Sequence, residues 1–519
     1  GIKISGASPS VVDVDFYIKV RAVDDDGVLV PQPDALPVIE EGTELSSKSG
    51  VKFTLTEDLD YSKTDYFGNL IAKVIKLKRV NNRDYFALKL SGLCVSGQII
   101  TESFKFPSSH KAFREIKLGK PDVSTILQVM DSEGNEYYEV ESLAQDTVFK
   151  AFPNPREALD NVPSVLGVTS APYRFVTSTD LKTRKVTLKF GGGSASSLAD
   201  DGVPDPSDLS LPLYGKKTMS KFSIDPNALL NSQTLGISPS NTTVSVVFRF
   251  GGGATHNVAE NTIINIDTLR IRFLDSLNGT TAVEVKNSLE IRNEQRASGG
   301  ARQKTVEEIR ELIPSARNMQ ARIVTKEDLI ARLYRLPNEY GSIYRAAITE
   351  NPNNPLGSIL YVVSTDQRGR LTQAPDVLKK NISVYLNEFR MISDAIDVLD
   401  VKIINFRVDC NITVAPNANK YDVIKMVIEE LQELLRLNKM QVGQPIIEAD
   451  LINAVINIQG VLSLIDIKLT NLFGEINGRT YSDQSIGMSE AKSNGIYFPD
   501  PGSIFELRYP NEDIRVTVR

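Results

Sequence analysis

Length and hydrophobic patterning together predict a multi-domain protein, with a β-rich amino-terminal half of sandwich- or barrel-like domains followed by α+β domains of the ferredoxin-like type. The chain has 519 residues, which is too long for one hydrophobic core. Up to about residue 295, short alternating runs lie between Gly, Pro, Asn and Asp turns, as in strands. Beyond that point, segments of helical period alternate with strands, which is typical of α+β domains.

Changes in this pattern divide the chain into five predicted segments. The clearest change falls at Ala297–Gly300, an Ala-Ser-Gly-Gly stretch between strand-like and helix-containing sequence. The predicted segments are a β-rich start (1–165), a β domain with a long loop and paired FGGG strands (166–298), an α+β domain (299–400), a ferredoxin-like α+β domain (401–475), and an extended tail or strand (476–519).

The first segment contains clear strand and hairpin signals. Asp15–Gly27 and Val51–Asp60 alternate apolar and polar residues and end in turn residues. Ile126–Val140 predicts a hairpin, because Ser-Glu-Gly-Asn at its centre supplies turn residues.

The second segment contains a short internal repeat. VTLKFGGG (Val186–Gly193) recurs sixty residues later as VVFRFGGG (Val246–Gly253), and each predicts a strand that ends in a glycine turn. Between them, Asp200–Gly215 is rich in Pro and Asp and predicts a long ordered surface loop.

Two capping boxes open the helical part of the chain. Thr305 is followed three residues later by Glu308, and Thr325 is followed by Asp328, the spacing with which an N-cap and the third helical residue satisfy each other's backbone N–H groups. We therefore expect helices to begin directly after Thr305 and Thr325.

The remaining helices and strands follow from apolar spacing. Pro375 marks a helix start, and further helices are predicted at 420–437 and 448–458. Val401–Val414 and the run GVLSLIDIKL are predicted strands. The chain ends in a strand with Ile514, Val516 and Val518 on one side, a candidate for export to a neighbouring subunit.

Composition limits the class of protein. Apolar residues are 41% and charged residues 24%, as in soluble globular proteins, and a net charge of −6 offers no general attraction for nucleic acid or an anionic membrane. No apolar run approaches the roughly 20 residues that span a bilayer. The two cysteines form no disulfide framework or metal-finger spacing, which fits a reducing compartment. A chain that opens on Gly1 rather than Met is consistent with processing or with a partial chain.

The residues that most often carry chemistry predict no catalytic group. Both histidines, His110 and His256, lie in turn-like segments with no nucleophile motif beside them, and we interpret them as solvated or hydrogen-bonding loop residues. Cys94 and Cys410 lie in apolar strand sequence and are interpreted as small buried hydrophobic residues.

No cofactor or metal site is predicted either. Glycine-rich turns can bind phosphate, but the two FGGG turns lack the endings of phosphate-binding loops, so tight turns with positive φ are favoured. The acidic runs lack the alternating oxygen ligands of a calcium loop and are interpreted as turns and solvated edges. These runs are Asp24–Asp26, then Glu57, Asp58 and Asp60, then Asp200 and Asp201.

Two distant carboxylates that meet in the fold could still cleave a glycoside, and the sequence leaves that alternative open. The absence of tryptophan argues modestly against it, because sugar-binding platforms often use aromatic faces. We therefore expect a protein that is not an enzyme.

Several segments resemble the baseplate J-like family. The most specific is TVEEIRELIPSARNMQARIVTKEDL (Thr305–Leu329). The others are EEGTELSSKSGVKFTLTEDLDYS (Glu40–Ser62), the run from Glu102 to Phe149 that ends in EYYEVESLAQDTVF, and NEFRMISDAIDVLDVKIINFRVDCNITV followed by GQPIIEADLINAVINIQGVLSL. Within this family, the PDPSDLSLPLYGK stretch, the paired FGGG strands and Ser223–Thr242 are similar to the baseplate wedge subunit, the gene-six product, of T-even-type contractile-tailed phages.

The resemblance implies a structural subunit of the virion, located in the tail baseplate after assembly in the host cytoplasm. It implies a homodimer in each wedge, contacts with other wedge proteins, and a sixfold ring of neighbouring wedges around the tail hub and sheath-initiating proteins that links host attachment to sheath contraction. It implies no cofactor, nucleic acid or membrane partner. The family's wedge subunit also has an amino-terminal helical part, whereas this chain starts in β-like sequence.

Two alternatives stay open. One is a carbohydrate-binding or depolymerising tail protein, favoured by the β-rich front half. The other is the equivalent baseplate subunit of another contractile injection system, such as a secretion system or a bacteriocin.

Overall fold

The computed structural model describes most of the chain, in two compact units. The described residues are 4–25, 27–65, 68–76, 79, 83–153, 164–194, 235–273, 279–320, 322–352, 354–391 and 394–519. Unit 1 consists of Gly1–His256, Glu260–Gln295 and Gly300–Arg310, and unit 2 of Asn257–Ala259, Arg296–Gly299 and Glu311–Arg519. The finer division into five segments stays a prediction, and the loop predicted at 200–215 lies outside the described residues.

Unit 1 is built almost entirely of strands. They are β1 Val11–Asp25, β2 Val28–Pro31, β3 Pro37–Ile39, β4 Glu44–Ser47, β5 Lys52–Leu55, β6 Leu59–Asp60, β7 Lys73–Lys76, β8 Tyr85–Ser96, β9 Gln98–Lys105, β10 Glu115–Pro121, β11 Val123–Asp131, β12 Tyr138–Glu139, β13 Thr147–Pro153, β14 Ser164–Ser170, β15 Arg174–Thr179, β16 Lys185–Phe190, β17 Thr243–Phe250, β18 Ile263–Thr268, β19 Ile271–Phe273 and β20 Glu290–Arg292. The helix α1 (Gly279–Asn287) precedes β20.

The largest sheet forms around β1 and β8, which pair antiparallel from Val11↔Val95 to Arg21↔Tyr85. Its strand order is β18-β4-β5-β8-β1-β2, with β20 paired to β1 and β7 paired to β8. The alternation seen in the sequence explains the strand: every second side chain of β1 is buried, because successive side chains of a strand point to opposite faces. These side chains are Val12, Val14, Phe16, Ile18 and Val20, and Val11 and Asp15 of the same strand are buried as well.

A second pair of sheets, in the order β10-β16-β15-β12 and β11-β17-β9, shares one core in the manner of a β-sandwich. The repeated sequence motif occupies one interior strand of each sheet: VTLKF is β16 and VVFRF is β17. Their alternate side chains are buried in the same cluster, namely Val186, Leu188, Phe190, Val244, Val246 and Phe248. The β-rich front half is therefore confirmed.

One strand connection differs from the prediction. The expected hairpin at Ile126–Val140 has its turn, because the Asp131 N–H donates to the Asn135 carbonyl and the Gly134 N–H to the Asp131 carbonyl. However, β12 pairs in parallel with β15, in the other sheet from β11. The predicted hairpin is confirmed through the antiparallel bridge Met130↔Glu136 and the hydrogen bond from the Tyr137 N–H to the Val129 carbonyl. Beyond these residues the prediction fails, since local turn residues do not specify which sheet receives the next strand.

Unit 2 contains the remaining strands and most of the helical structure. The strands are β21 Arg345–Asn351, β22 Asn354–Thr365, β23 Leu371–Thr372, β24 Ala395–Asp400, β25 Lys402–Val414, β26 Ile446–Ile447, β27 Val461–Leu472, β28 Glu475–Ile476, β29 Arg479–Thr480, β30 Lys492–Ser493, β31 Ile496–Tyr497, β32 Ser503–Glu506 and β33 Ile514–Val518. After α2 (Val306–Asn318), the helices are α3 Lys326–Leu333, α4 Asp376–Asn387, α5 Lys420–Leu434, α6 Glu448–Ile456 and α7 Met488–Ala491.

The strand β25 organises the main sheet of unit 2. It pairs antiparallel with β27 on one side and in parallel with β32 and β33 on the other. The helices α5 and α6 bury one face each in the same apolar cluster, through Val423, Val427, Leu431, Leu451 and Val455. A second sheet has the order β21-β22-β23, with β24 parallel to β22.

The described part of the chain is β-rich, with 43% strand and 19% helix, but the ferredoxin-like topology expected for unit 2 is not confirmed. The connection from β25 to its neighbour β27 contains both α5 and α6, and the strands from the end of the chain add in parallel beside β25. The helices predicted at 420–437 and 448–458 end at Leu434 and Ile456. Both capping boxes are confirmed.

Candidate interaction surfaces

The two histidines lie apart, in separate loops of unit 1. His110 is exposed, and its Nε2 lies 3.2 Å from the Gly193 carbonyl oxygen. His256 ends a short 3₁₀ turn, and its Nδ1 lies 2.9 Å from the Ser96 Oγ. Burial lowers the pKa of His256 below its ordinary value. Each histidine thus makes a hydrogen bond from a loop, as the sequence predicted.

Both cysteines lie inside strands. Cys94 in β8 and Cys410 in β25 are buried and unpaired thiols. Burial raises the pKa of Cys410 to about 11 and also raises the pKa of Cys94, because a thiolate loses hydration in an apolar interior. The prediction of small buried hydrophobic residues is confirmed at both positions.

The two FGGG turns use glycine for different reasons. In the second turn, Gly251 and Gly253 have φ of 95° and 108°, which favours glycine as predicted. None of the described glycines with positive φ belongs to the first turn. There, a Cβ atom added to Gly191 would lie 2.0 Å from the Gly236 carbonyl oxygen. The backbone approaches another segment there, so the positive-φ explanation was wrong for the first turn.

Where the structure describes the acidic runs, their carboxylates accept hydrogen bonds from local turns or from a neighbouring segment. The Asp24 carboxylate accepts a hydrogen bond from the Gly27 N–H, Asp58 accepts from the Glu41 N–H, and Asp60 accepts from the Ser62 N–H and hydroxyl. Asp26, Asp200 and Asp201 lie outside the described residues. Within the described ranges, no group of three or more His, Cys, Asp or Glu side chains is arranged to hold a metal ion. No helix in those ranges is long and apolar enough to span a membrane.

The segment Thr305–Leu329, which carries the most specific resemblance, forms α2, its connection and the start of α3. Asp328 is buried and accepts hydrogen bonds from the backbone N–H groups of Gln320, Val324 and Thr325. Burial alone would raise the pKa of Asp328, but these bonds outweigh burial and lower it. One carboxylate therefore fixes the path of the chain between the two helices.

Arg332 extends this arrangement, although no sequence pattern pointed to it. Its guanidinium donates to the Gln320 carbonyl at 2.9 Å and lies 3.7 Å from the centre of the Phe389 ring. Only the fold brings Gln320, Arg332 and Phe389 together, because they lie before α3, within α3 and after α4.

A buried polar network ties the end of the chain to β25. The Glu506 carboxylate accepts from the Leu371 N–H at 2.7 Å, from the Asn405 amide at 2.8 Å and from the Arg508 guanidinium at 3.1 Å. Burial raises the pKa of Glu506, and these three donors oppose that rise. Asp513 is also buried, and its carboxylate accepts from the Tyr481 hydroxyl at 2.8 Å.

The carboxyl-terminal strand completes the sheet of its own unit. β33 pairs in parallel with β25 from Val408↔Ile514 to Ile412↔Val518. The strand itself was predicted, but its assignment as an exported strand is not supported, since its backbone groups pair within the same unit.

The outer faces of α5 and α6 are exposed, as expected for helices docked on a sheet. Tyr421 on α5 is 83% exposed, and Met426 and Ile456 are also among the exposed apolar side chains. Their inner faces pack in the core of unit 2, so these helices serve first as cover for the sheet.

The strand β27 presents another candidate surface. It pairs with β25 along one edge, and among the described residues its other edge pairs with no strand. Leu462 is 66% exposed and Ile465 is 48% exposed, and Phe473 just beyond the strand is exposed too. A long unpaired edge with apolar side chains is a template for pairing with another chain. The sequence showed this strand but not its position at an edge.

Comparisons with known proteins give no family assignment. No family model matches the chain, and no curated protein matches it. Among solved structures, the chain is similar to a chain in the cryo-EM structure of the anti-feeding prophage (AFP) baseplate, 6-fold symmetrised. The match has 10% identity, covers 91% of this chain and 74% of that chain, and has a TM-score of 0.26. A superposition with this TM-score supports no conclusion about fold or function.

Proposed function

We propose that this protein is a structural wedge subunit of a contractile-tail baseplate. In this role it forms homodimers, contacts other wedge proteins, and joins neighbouring wedges in a sixfold ring that transmits host attachment to the sheath. The proposal rests on the segments that resemble the baseplate J-like family and on what those segments do in the structure. Catalysis is not part of the proposed role.

The observation that best supports this role is the set of hydrogen bonds that the Asp328 carboxylate accepts. In Thr305–Leu329, the most specific of the resembling segments, this buried carboxylate is occupied by three backbone N–H groups of its own unit. A carboxylate held in that way orders the chain, because most of its hydrogen-bonding capacity is used by the backbone of its own unit. The segment that carries the resemblance thus serves the architecture of unit 2.

The segment Glu40–Ser62 is used in the same way in unit 1. The Thr43 hydroxyl donates to the Glu40 carbonyl and accepts from the Arg270 N–H, which connects two distant parts of the chain. Tyr61 is buried, and its hydroxyl donates to the Phe16 carbonyl at 2.8 Å. These polar groups join neighbouring strands, as a rigid scaffold requires.

The free edge of β27 supports a specific mode of self-association. Two copies that pair along this edge would satisfy its outward backbone groups and bury the side chains of Leu462 and Ile465. An interface that combines main-chain hydrogen bonds with exposed apolar side chains suits a permanent assembly. We therefore assign the proposed homodimer contact to β27.

The test is the oligomeric state of the purified full chain, measured by sedimentation velocity over a range of concentrations. We expect a dimer for the unchanged protein and a rise of about a hundredfold in its dissociation constant for Ile465→Asp, because a charge would be buried in the contact. The matched control is Val384→Asp, an equally exposed apolar residue on α4 of the same unit, which should leave the dimer unchanged.

Two outcomes would contradict the proposal. One is a chain that stays monomeric at every concentration, or an Ile465→Asp variant that dimerises as the unchanged protein does. The other is turnover of a polysaccharide by the purified chain that is lost on substitution of a single carboxylate, which would favour a depolymerising tail protein.

A further inference from the structure

A cleft of about 700 Å³ opens in unit 2, within the roughly 300–1,000 Å³ range of ligand sites. Four segments line it: the turn between β22 and β23, the carboxyl-terminal end of α5 and the residues that follow it, Arg479 of β29, and the loop that follows β32. The helix α5 and the loop after β32 are joined by a hydrogen bond from the Gln432 amide to the Asn511 side-chain oxygen at 3.0 Å. The proposed role in a baseplate does not use this cleft.

The turn that supplies the basic wall is held in one conformation. The Asp366 carboxylate accepts hydrogen bonds from the backbone N–H groups of Arg368 and Arg370 at 2.8 and 2.9 Å. Gly369 between them has φ of 75°, a conformation that favours glycine. The two arginines are therefore presented at the cleft by a turn that is ordered before any ligand binds.

An aromatic ring supports one of these arginines. The Arg370 guanidinium lies 4.3 Å from the centre of the Tyr509 ring. The ring is fixed in turn, because the Tyr509 hydroxyl donates to the Thr480 carbonyl and its N–H donates to the Asp513 carboxylate. A guanidinium stacked on a fixed ring keeps its N–H edge available to bind a planar anion.

The charges that line the cleft are not balanced. Each of the other three arginines pairs with a glutamate of the lining at 3.0 or 3.1 Å, in the pairs Arg436 with Glu433, Arg479 with Glu512, and Arg508 with Glu506. Among the described residues, by contrast, neither Arg368 nor Arg370 has a carboxylate within ion-pair distance. Two arginines in one cleft are thus left with donors for an external acceptor.

We propose that this cleft binds an extended segment of another protein through one or two carboxylates held by Arg368 and Arg370. The guanidinium fork matches a carboxylate in a bidentate geometry, and a cleft of this size accommodates a short stretch of peptide. Glu429, Glu433 and Glu512 also line the cleft, and they would repel a polyanion such as nucleic acid. A peptide with isolated carboxylates meets the two arginines without placing further negative charge against these glutamates.

The test uses the purified full chain and a fluorescein-labelled Ser-Asp-Leu-Glu-Ser peptide with an amidated end, followed by fluorescence polarisation. Arg368→Glu with Arg370→Glu should weaken binding by about tenfold or more, because two attractive contacts become repulsive. The Ser-Asn-Leu-Gln-Ser peptide should bind at least about tenfold more weakly than the acidic one. Arg515→Glu, at an exposed position on β33 outside the cleft, is the matched control and should stay within about twofold.

Two lysines at the same positions distinguish specific recognition by the guanidinium groups from a general attraction between opposite charges. Arg368→Lys with Arg370→Lys keeps both charges but loses the planar fork, so binding should fall by about threefold or more. The proposal is overturned if the acidic peptide does not bind, if either double variant binds as tightly as the unchanged protein, or if an oligothymidylate of eight nucleotides displaces the peptide more effectively than unlabelled peptide does. Circular dichroism of each variant establishes that its fold is retained.

The test of this cleft is independent of the test of the proposed scaffold role, because peptide binding needs no baseplate. Failure of peptide binding would leave the scaffold role unaffected, and failure of dimerisation would leave the peptide site unaffected.

Discussion

The sandwich of unit 1 and the β25 sheet of unit 2 are stabilised in different ways. The sandwich core consists of apolar and aromatic side chains, with Phe190 in contact with Tyr137 and Phe175 at ring distances of 5.3 and 6.0 Å. The β25 sheet also has an apolar cluster, but a buried charged group, Glu506, lies where the end of the chain joins it.

The difference shows how each region specifies its pairing. In the sandwich, inward and outward side chains alternate on antiparallel strands, and a shift by one residue would expose the whole core face. The short strand β32 offers only four residues of pairing to β25. The hydrogen bonds that the Glu506 carboxylate accepts from the Asn405 amide and the Leu371 N–H therefore add the specificity that the alternation cannot supply. We therefore expect a cavity effect at Phe190 in unit 1 and a charge effect at Glu506 in unit 2.

The largest effect is expected for Phe190→Ala in the sandwich. Removal of this fully buried ring should lower the free energy of unfolding by about 3–5 kcal/mol, because a cavity is left between two sheets. Denaturation followed by circular dichroism, with hydrogen exchange resolved by peptide, measures the loss and locates it in unit 1. Phe149→Ala, at a ring that is 56% exposed, is the control and should change stability by less than about 0.5 kcal/mol. Equal losses in the two variants would show that the aromatic core is not what holds the sandwich.

A loss of about 3 kcal/mol is expected for Glu506→Leu at neutral pH, because the Leu371 N–H, the Asn405 amide and Arg508 would lose their common acceptor. Increased hydrogen exchange should appear in β25 and β32.

The stability of the unchanged protein should also depend on pH because of Glu506. The folded pKa of Glu506 is raised, so ionisation as pH rises through that pKa costs stability. Unit 2 should therefore gain stability as pH falls from the raised pKa toward the unfolded value of about 4.3. Glu506→Gln should abolish this gain, and persistence of the gain in that variant would assign it to another group.

Asp328→Asn should cost about 1–2 kcal/mol, because an amide accepts fewer and weaker hydrogen bonds from Gln320, Val324 and Thr325 than a carboxylate does. The pH response is opposite to that of Glu506. The folded pKa of Asp328 is lowered, so its contribution is present above the unfolded value of about 3.9 and is lost as pH falls through the folded pKa. Acid titration of unfolding midpoints measures both slopes, and an unchanged acid limb in Asp328→Asn would contradict the assignment.

The smallest effect is expected for Thr325→Ala, at about 1 kcal/mol, the usual cost of a lost N-cap. Thr325→Ser keeps the hydroxyl that accepts from the Asp328 N–H and should recover most of the loss. Thermal unfolding of the pair measures the difference. If both variants were equally destabilised, the methyl group rather than the cap would be responsible.

Sequence patterns predicted the elements better than their connections. The alternation of β1 and the capping boxes at Thr305 and Thr325 were confirmed, because each depends on residues a few positions apart. The partner of β12 was not predictable, since the turn at Asp131–Asn135 is compatible with either sheet. The need for glycine at Gly191 was assigned to its φ, whereas the decisive neighbour, Gly236, lies in a segment that no local pattern connects to it.

For the candidate surfaces, too, local features were predictable from the sequence and spatial relations were not. The sequence showed that β27 is a strand and that the histidines and cysteines lack catalytic motifs. It did not show that β27 lies at an edge, nor that the turn at Arg368–Arg370 and the loop at Glu506–Glu512 line one cleft.

The sequence by itself determined the β-rich character of the first unit, the helix starts of the second and the burial of both cysteines, because hydrophobic period and capping act over a few residues. Only the tertiary structure decided that the last strands pair beside β25, that Glu506 is buried there, and that Arg368 and Arg370 lack a carboxylate partner among the described residues. These features depend on strand pairing and charge balance between residues about a hundred or more positions apart, and such distances leave no periodic trace in a single sequence.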